Sequence, residues 1–143
     1  MSKELNRLYN RAVKKGEAVS KVYTDYYGNK LDEPEEKYRI DVYKHNGAEI
    51  TDLYHYSTPT LSVENKNGKY VITDLYGQSV SDRDSIKCVL ALVTKSEYSP
   101  LGLSYRDTKG GFGLVDNDFN YYMQEDYDKK QKFIDKANKL LKA

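Results

Sequence analysis

Two side chains here are of the type that performs nucleophilic chemistry, His55 and Cys88, and a thiol activated by an imidazole needs the two within hydrogen-bond reach. Cys88, the single cysteine, lies beside Ile86 and Val89, where a free thiol is ordinary packing. His55 alternates within a strand between Tyr54 and Tyr56, and His45 falls in a turn. These placements read as structure, not as a dyad. Asp116-x-Asp118 has the oxygen ligands a hard cation takes, but lacks the six or more spaced ligands of a calcium hand. A helix start accounts for the same acids, which favour N-caps. Lys109-Gly110-Gly111-Phe112-Gly113 lacks the Gly-Lys-Ser/Thr ending and following helix of a phosphate loop. It reads as a tight turn whose glycines could present Phe112 to a partner. The residues show no catalytic set, no metal set and no dinucleotide fingerprint, so no cofactor is expected.

Binding chemistry is better represented. Fifteen of the 18 aromatic residues are Tyr and none is Trp. Tyr fills volume with its ring while its hydroxyl stays wet or bonded, which suits half-buried strands and protein-binding surfaces alike. Tyr54, Tyr56, Tyr76 and the Phe112 loop are the expected contacts for a protein partner. Basic residues offer a second chemistry. Arg7, Arg11 and Lys14 line one stripe of the first helix, and the stretch from Lys129 to Lys142 has six lysines, Lys130 and Lys136 among them, against one acid. Were these helices side by side, the stripe could hold single-stranded nucleic acid through charge and stacking.

The elements that position these residues follow from periodicity. Leu5, Leu8, Tyr9, Ala12 and Val13 have helical spacing, with Ser2 as N-cap and Gly16 as stop. From Ala18 to Tyr27 the period is two, ending at Gly28-Asn29. Leu31 to Glu36 reads as an acidic connector, and a strand alternates through Tyr38, Ile40 and Val42. Asn46-Gly47 marks a type I′ hairpin whose return strand runs from Ala48 to Tyr56. Pro59, with no amide hydrogen, marks a bend or sheet edge. A second hairpin turns at Asn65-Lys66-Asn67-Gly68. Ser81 is the expected cap of a helix through Ile86, Val89, Leu90 and Val93. After Pro100 short strands return, and the last helix, carrying Ile134, Ala137 and Leu141, could begin as early as Asp118. This order predicts an α+β fold: an antiparallel sheet of hairpins packed with N-terminal, central and C-terminal helices.

A chain of 143 residues, 31% charged with net charge +1, fits one domain spanning 1–143. No apolar run approaches the roughly 18 residues of a membrane span, and the N-terminus opens directly on an amphipathic pattern. With one cysteine, a reducing cytoplasm is expected. Lysine outnumbers arginine, and Asn and Tyr are abundant, as in proteins of AT-rich genomes.

The run Leu53-Tyr54-His55-Tyr56-Ser57-Thr58-Pro59, continued by Tyr76-Gly77-Gln78-Ser79-Val80-Ser81-Asp82-Arg83-Asp84-Ser85-Ile86, resembles a small domain of unknown function that recurs in bacteriophage proteins. Departures from its pattern are Ser57 for Asn, Val80 and Asp82 for small hydroxyl residues, and Arg83-Asp84 for Arg-His. The resemblance implies a phage or prophage setting, similar to that of the small anti-CRISPR-like proteins. These occupy a surface of a host protein or ribonucleoprotein complex, such as a CRISPR effector, in the host cytoplasm. The expectation is therefore a non-enzymatic binding protein that inhibits by steric occlusion, with a nucleic-acid-binding accessory protein as the alternative.

Overall fold

The computed structural model describes residues 2–106 and 111–142. Helix α1 (Lys3–Lys15) leads into a five-stranded antiparallel sheet, β1 (Glu17–Thr24), β2 (Lys30–His45), β3 (Ala48–His55), β4 (Thr58–Lys66) and β5 (Lys69–Leu75), with strands neighbouring in chain order. Helix α2 (Val80–Thr94) follows, then a three-stranded sheet of β6 (Gly102–Arg106), β7 (Gly111–Val115) and β8 (Tyr121–Met123), a single 3-10 turn, and α3 (Lys130–Lys142). The fold is α+β.

Local chemistry explains most of these boundaries. Ser2 caps α1 by accepting the Leu5 amide, and Gly16 closes it in the left-handed conformation that costs glycine least. Asn46-Gly47 and Asn67-Gly68 both take positive φ, as type I′ hairpins require. The inward residues of the large sheet, Ile40, Val42, Leu53, Leu61, Val63, Ile72 and Leu75, are buried in one cluster with Leu5, Leu8 and Ala12 of α1 and Ile86, Val89, Leu90 and Val93 of α2. That cluster continues through Leu103, Phe112 and Leu114 of the small sheet to Phe133, Ile134 and Ala137 of α3.

Four expectations are corrected. Leu31 to Glu36 is not a connector but part of β2, paired with β1. The register slips there, so that Leu31 to Pro34 face the single residue Tyr23, and a slipped ladder tolerates the donor-less Pro34. Pro59 falls inside β4 at the register irregularity between Leu53 and Tyr54 and before the β5 pairing begins at Leu61, so it does mark the expected break in the ladder. The β3–β4 turn is Tyr56-Ser57, both residues left-handed at φ 47° and 68°, with none of the Asn or Gly that normally announces such a turn. The cap of α2 is Ser79, not Ser81: its hydroxyl accepts the Asp82 amide at 3.0 Å. The last helix starts at Lys130, because Asp116 captures the amides of Asp118 and Asn120 in a turn and Tyr121–Met123 pairs with β7.

Two side-chain amides act as substitute strand backbone. Asn138 of α3 accepts the Ile72 amide and donates to the Ile72 carbonyl, both at 2.8 Å, closing the edge of β5. Gln124 donates to the Gly77 carbonyl at 2.8 Å, joining the segment before α2 to the small sheet. Gly77 itself is required, since a Cβ there would meet the Phe112 ring at 2.3 Å.

Asn138→Ala strands the Ile72 amide and is expected to cost about 1–3 kcal/mol in urea unfolding. Gln131→Ala, which removes only an exposed bond to Asp135, is expected to be near neutral. Gly77→Ala is expected to destabilise by about 1–3 kcal/mol through overpacking, recovered in part when Phe112 is shortened to Leu in the same chain.

Candidate functional site

The helices cover one face of the large sheet. Along the other, Val19, Arg39, Asp41, Tyr43, Ile50, Asp52, Tyr54, Ser62, Glu64 and Val71 project, and none of them is buried. Charge on this face is mostly compensated. Arg39 Nε donates to Asp41 at 2.9 Å while the same guanidinium pairs with Glu17. Asp52 accepts the Tyr43 hydroxyl at 2.8 Å and the Ser62 hydroxyl at 2.5 Å. Lys130 reaches Asp74 at 2.6 Å. The bond to Asp52, reinforced by burial and by that carboxylate's charge, pushes the Tyr43 phenol up to about 12. Burial, then the charges of Asp52 and Asp41, also raises Tyr54.

Of the expected contacts, Tyr54 lies half-buried on this open face, and Tyr56 projects from the β3–β4 turn at 49% exposure. Tyr76 is half-buried, with Lys130 Nζ 5.8 Å from its ring centre. Phe112 is corrected: it is 0% exposed in β7, packed edge-on to Phe133 and against Gly77, so it is core. Lys109 and Gly110 of the glycine-rich turn lie outside the described residues. Arg7 and Arg11 are exposed beside a 310 Å³ cleft shared with Glu4, Leu8, Val19 and Ser20, and Lys14 is exposed near the end of α1. Lys136 lies 4.2 Å over the Tyr122 ring. The basic helices do not adjoin one stripe. α1 packs on β1 and β2, whereas α3 packs on β5 at the far edge of the sheet.

Sequence reasoning missed the most exposed aromatic group. Tyr23, Tyr26 and Tyr27, exposed by 63%, 95% and 84%, stand on the ribbon made by β1 and the first half of β2. The Asp25 carboxylate accepts the amides of Tyr27 and Asn29, both at 2.9 Å, which fixes the turn and turns both rings outward. Two adjacent aromatics before a Gly-Asn turn were the available signal.

His55 pairs not with Cys88 but with Asp82, Nδ1 to Oδ1 at 2.7 Å, each side chain 10% exposed. Asp82 also accepts the Gln78 amide at 2.7 Å. Burial alone would raise its pKa, but the hydrogen bonds from His55 and Gln78, the His55 charge and the Ser79 bond outweigh it and hold the carboxyl low. An ionised carboxylate only accepts, so Nδ1 of His55 carries the hydrogen. The ring stacks on Tyr38 at 4.7 Å and meets Tyr56 at the same distance. Cys88 lies six residues farther along α2, roughly 9 Å down the axis, and burial pushes its thiol up, away from the nucleophilic form. It borders a cleft of 600 Å³ with Glu4, Lys37, Tyr38, Asp84 and Tyr98.

Asp116, half of the possible cation pair, has both oxygens occupied: Oδ1 by the Asp118 and Asn120 amides, Oδ2 by the Asn120 side chain and the Tyr122 hydroxyl. Among the described residues no three His, Cys, Asp or Glu are grouped to hold a metal, and no helix is long and apolar enough to cross a membrane. Comparison with family models, curated proteins and solved structures found no match to this chain.

Because the folded Asp82 carboxyl sits below its ordinary 3.8, its contribution to stability is present above that pH and is lost as pH falls through the lower, folded value. Acid titration of unfolding free energy should therefore show a shallower decline in Asp82→Asn than in the unmodified chain below about pH 4. At pH 7, His55→Phe, which keeps the stacking but removes the donor, should cost about 1.5–3 kcal/mol.

Proposed function

We propose that this chain is a binding protein, not a catalyst, and that it works by covering part of a larger macromolecule. The observation that carries this reading is where the aromatic surface lies. Among the described residues, seven of the ten exposed large hydrophobics are tyrosines, and Tyr23, Tyr26, Tyr27 and Tyr43 belong to β1, β2 and the turn joining them. Exposed rings have an energetic cost in water that a partner can relieve, and Tyr combines large contact area with little rotamer entropy to lose. Together with the resemblance of residues 53–86 to a phage-borne domain, this favours a phage- or mobile-element-encoded inhibitor that blocks a host defence factor, such as a CRISPR effector, by steric occlusion. Half-buried Tyr54 lies on the same open face as Tyr43, and Tyr56 adds an exposed ring at the β3–β4 turn, where it packs on His55. The nucleic-acid alternative is weakened by the separation of Arg7, Arg11 and Lys14 from Lys130 and Lys136.

The decisive assay is plaque formation by a phage targeted by an active CRISPR system, in cells that do or do not express the chain. Restored plaquing is the expected result, with Tyr43→Ala/Tyr54→Ala reducing it. No restoration against any effector type, together with tight single-stranded DNA binding that falls steeply with salt, would replace this reading with the nucleic-acid one.

A further inference from the structure

The ribbon from Lys21 to Glu36 differs from the rest of the surface in three respects that bear on what it meets. It has no support from a third strand. The last β2–β3 pair is Tyr38 with His55, and beyond it Lys30 to Glu36 pair with β1 alone. Two-stranded ribbons are marginal by themselves, yet this one spends three tyrosines outward, at its tip and on the strand leading to it. It is also acidic, with Asp25, Asp32, Glu33, Glu35 and Glu36 against Lys21 and Lys30. Asp25 is used in the turn. The other four carboxylates form no salt bridge among the described residues, whereas Glu17, Asp41 and Asp74 of the sheet face are each paired to a cation. On the sheet face three acids are thus matched to cations, whereas the ribbon carries five carboxylates against two lysines, with Lys21 opposite Glu36 and the others without a cation partner among the described residues.

The geometry points to the β1–β2 ribbon as an insertion arm for a basic cleft on a protein partner. Tyr26 and Tyr27 enter first, and Asp32, Glu33, Glu35 and Glu36 pair with the lysines and arginines of the cleft walls. This rests on the binding-protein reading and adds the location and the chemistry of the contact. The two rings stand edge to face at 5.4 Å on a turn in which Asp25 already accepts the Tyr27, Gly28 and Asn29 amides, so little ordering remains to be done on docking. Uncompensated carboxylates on a projecting element attract a basic cleft from a distance and lose that attraction as salt screens it. A membrane surface or a nucleic acid, both anionic, would be repelled by the same groups.

The test uses the full chain, 15N-labelled, titrated at low salt with a synthetic peptide of alternating arginine and leucine and, separately, with one of alternating glutamate and leucine. The arginine peptide should shift the amides of Tyr23 to Glu36 saturably, while the glutamate peptide shifts none of them. Asp32→Asn/Glu33→Gln/Glu35→Gln/Glu36→Gln should weaken the binding about tenfold, and Tyr26→Ser/Tyr27→Ser should weaken it further while leaving the amides of β3 and β4 in place. Shifts confined to the amides of the sheet-face acids, or equal affinity in the neutralised variant, would overturn the arm. The plaque assay separates this from the broader reading. If the chain restores plaquing and the arm variants do so equally well, the arm proposal fails and the binding protein stands; if no chain restores plaquing, that reading fails and the peptide titration still decides the arm.

Discussion

Asp82 joins the parts of this molecule that have least else in common. Its carboxylate accepts a hydrogen bond from His55, at the end of β3, and another from the Gln78 amide, while its own amide donates to the Ser79 cap. A carboxylate on a side chain only 10% exposed is costly unless its lone pairs are filled, and here the sheet and the segment entering α2 fill them together. The helix N-terminus adds favourable field. The position of α2 on the sheet is thereby set by a directional bond as well as by apolar packing, which alone tolerates sliding. Tyr38 and Tyr56 close over the imidazole, and this gives a reason for the left-handed Tyr56, whose backbone conformation is disfavoured for an aromatic residue.

The large sheet manages its two edges differently. At β5 the side chain of Asn138 takes the place of a sixth strand. At β1 the ladder is broken twice by register slips and carries Lys21 and Glu17, devices that discourage pairing with another chain. The ribbon is therefore poorly suited to extending the sheet into a second molecule, and its side chains, not its backbone, are what it offers.

Much of the scaffold was legible because period and punctuation agreed. The helical stripe from Leu5 to Val13, the alternation through Ile40 and Val42, and the two Asn-Gly turns each carry redundant signals. The failures fall where one residue overrode its local pattern. Asp116 turned a helical period into a turn and strand by capturing neighbouring amides, and Ser79 outcompeted Ser81 because Asp82, three residues on, could exploit it. Phe112 looked like a loop residue because its glycine neighbours serve close packing, not mobility: Gly113 leaves room for Met123. The partnership of His55 with Asp82 spans 27 residues and has no local signature. The tyrosines of the ribbon were visible as residues, but their exposure depends on β3 ending where it does.

The closure of β5 has a bearing on synthesis. Ile72 and Asn138 are 66 residues apart, so in a nascent chain emerging at about 5–20 residues per second the strand exists for roughly 3–13 seconds before its closing helix can arrive. During that interval its outer backbone is bare, and the hazard to the newborn protein is greatest where translation is slow and neighbouring ribosomes are crowded on one message.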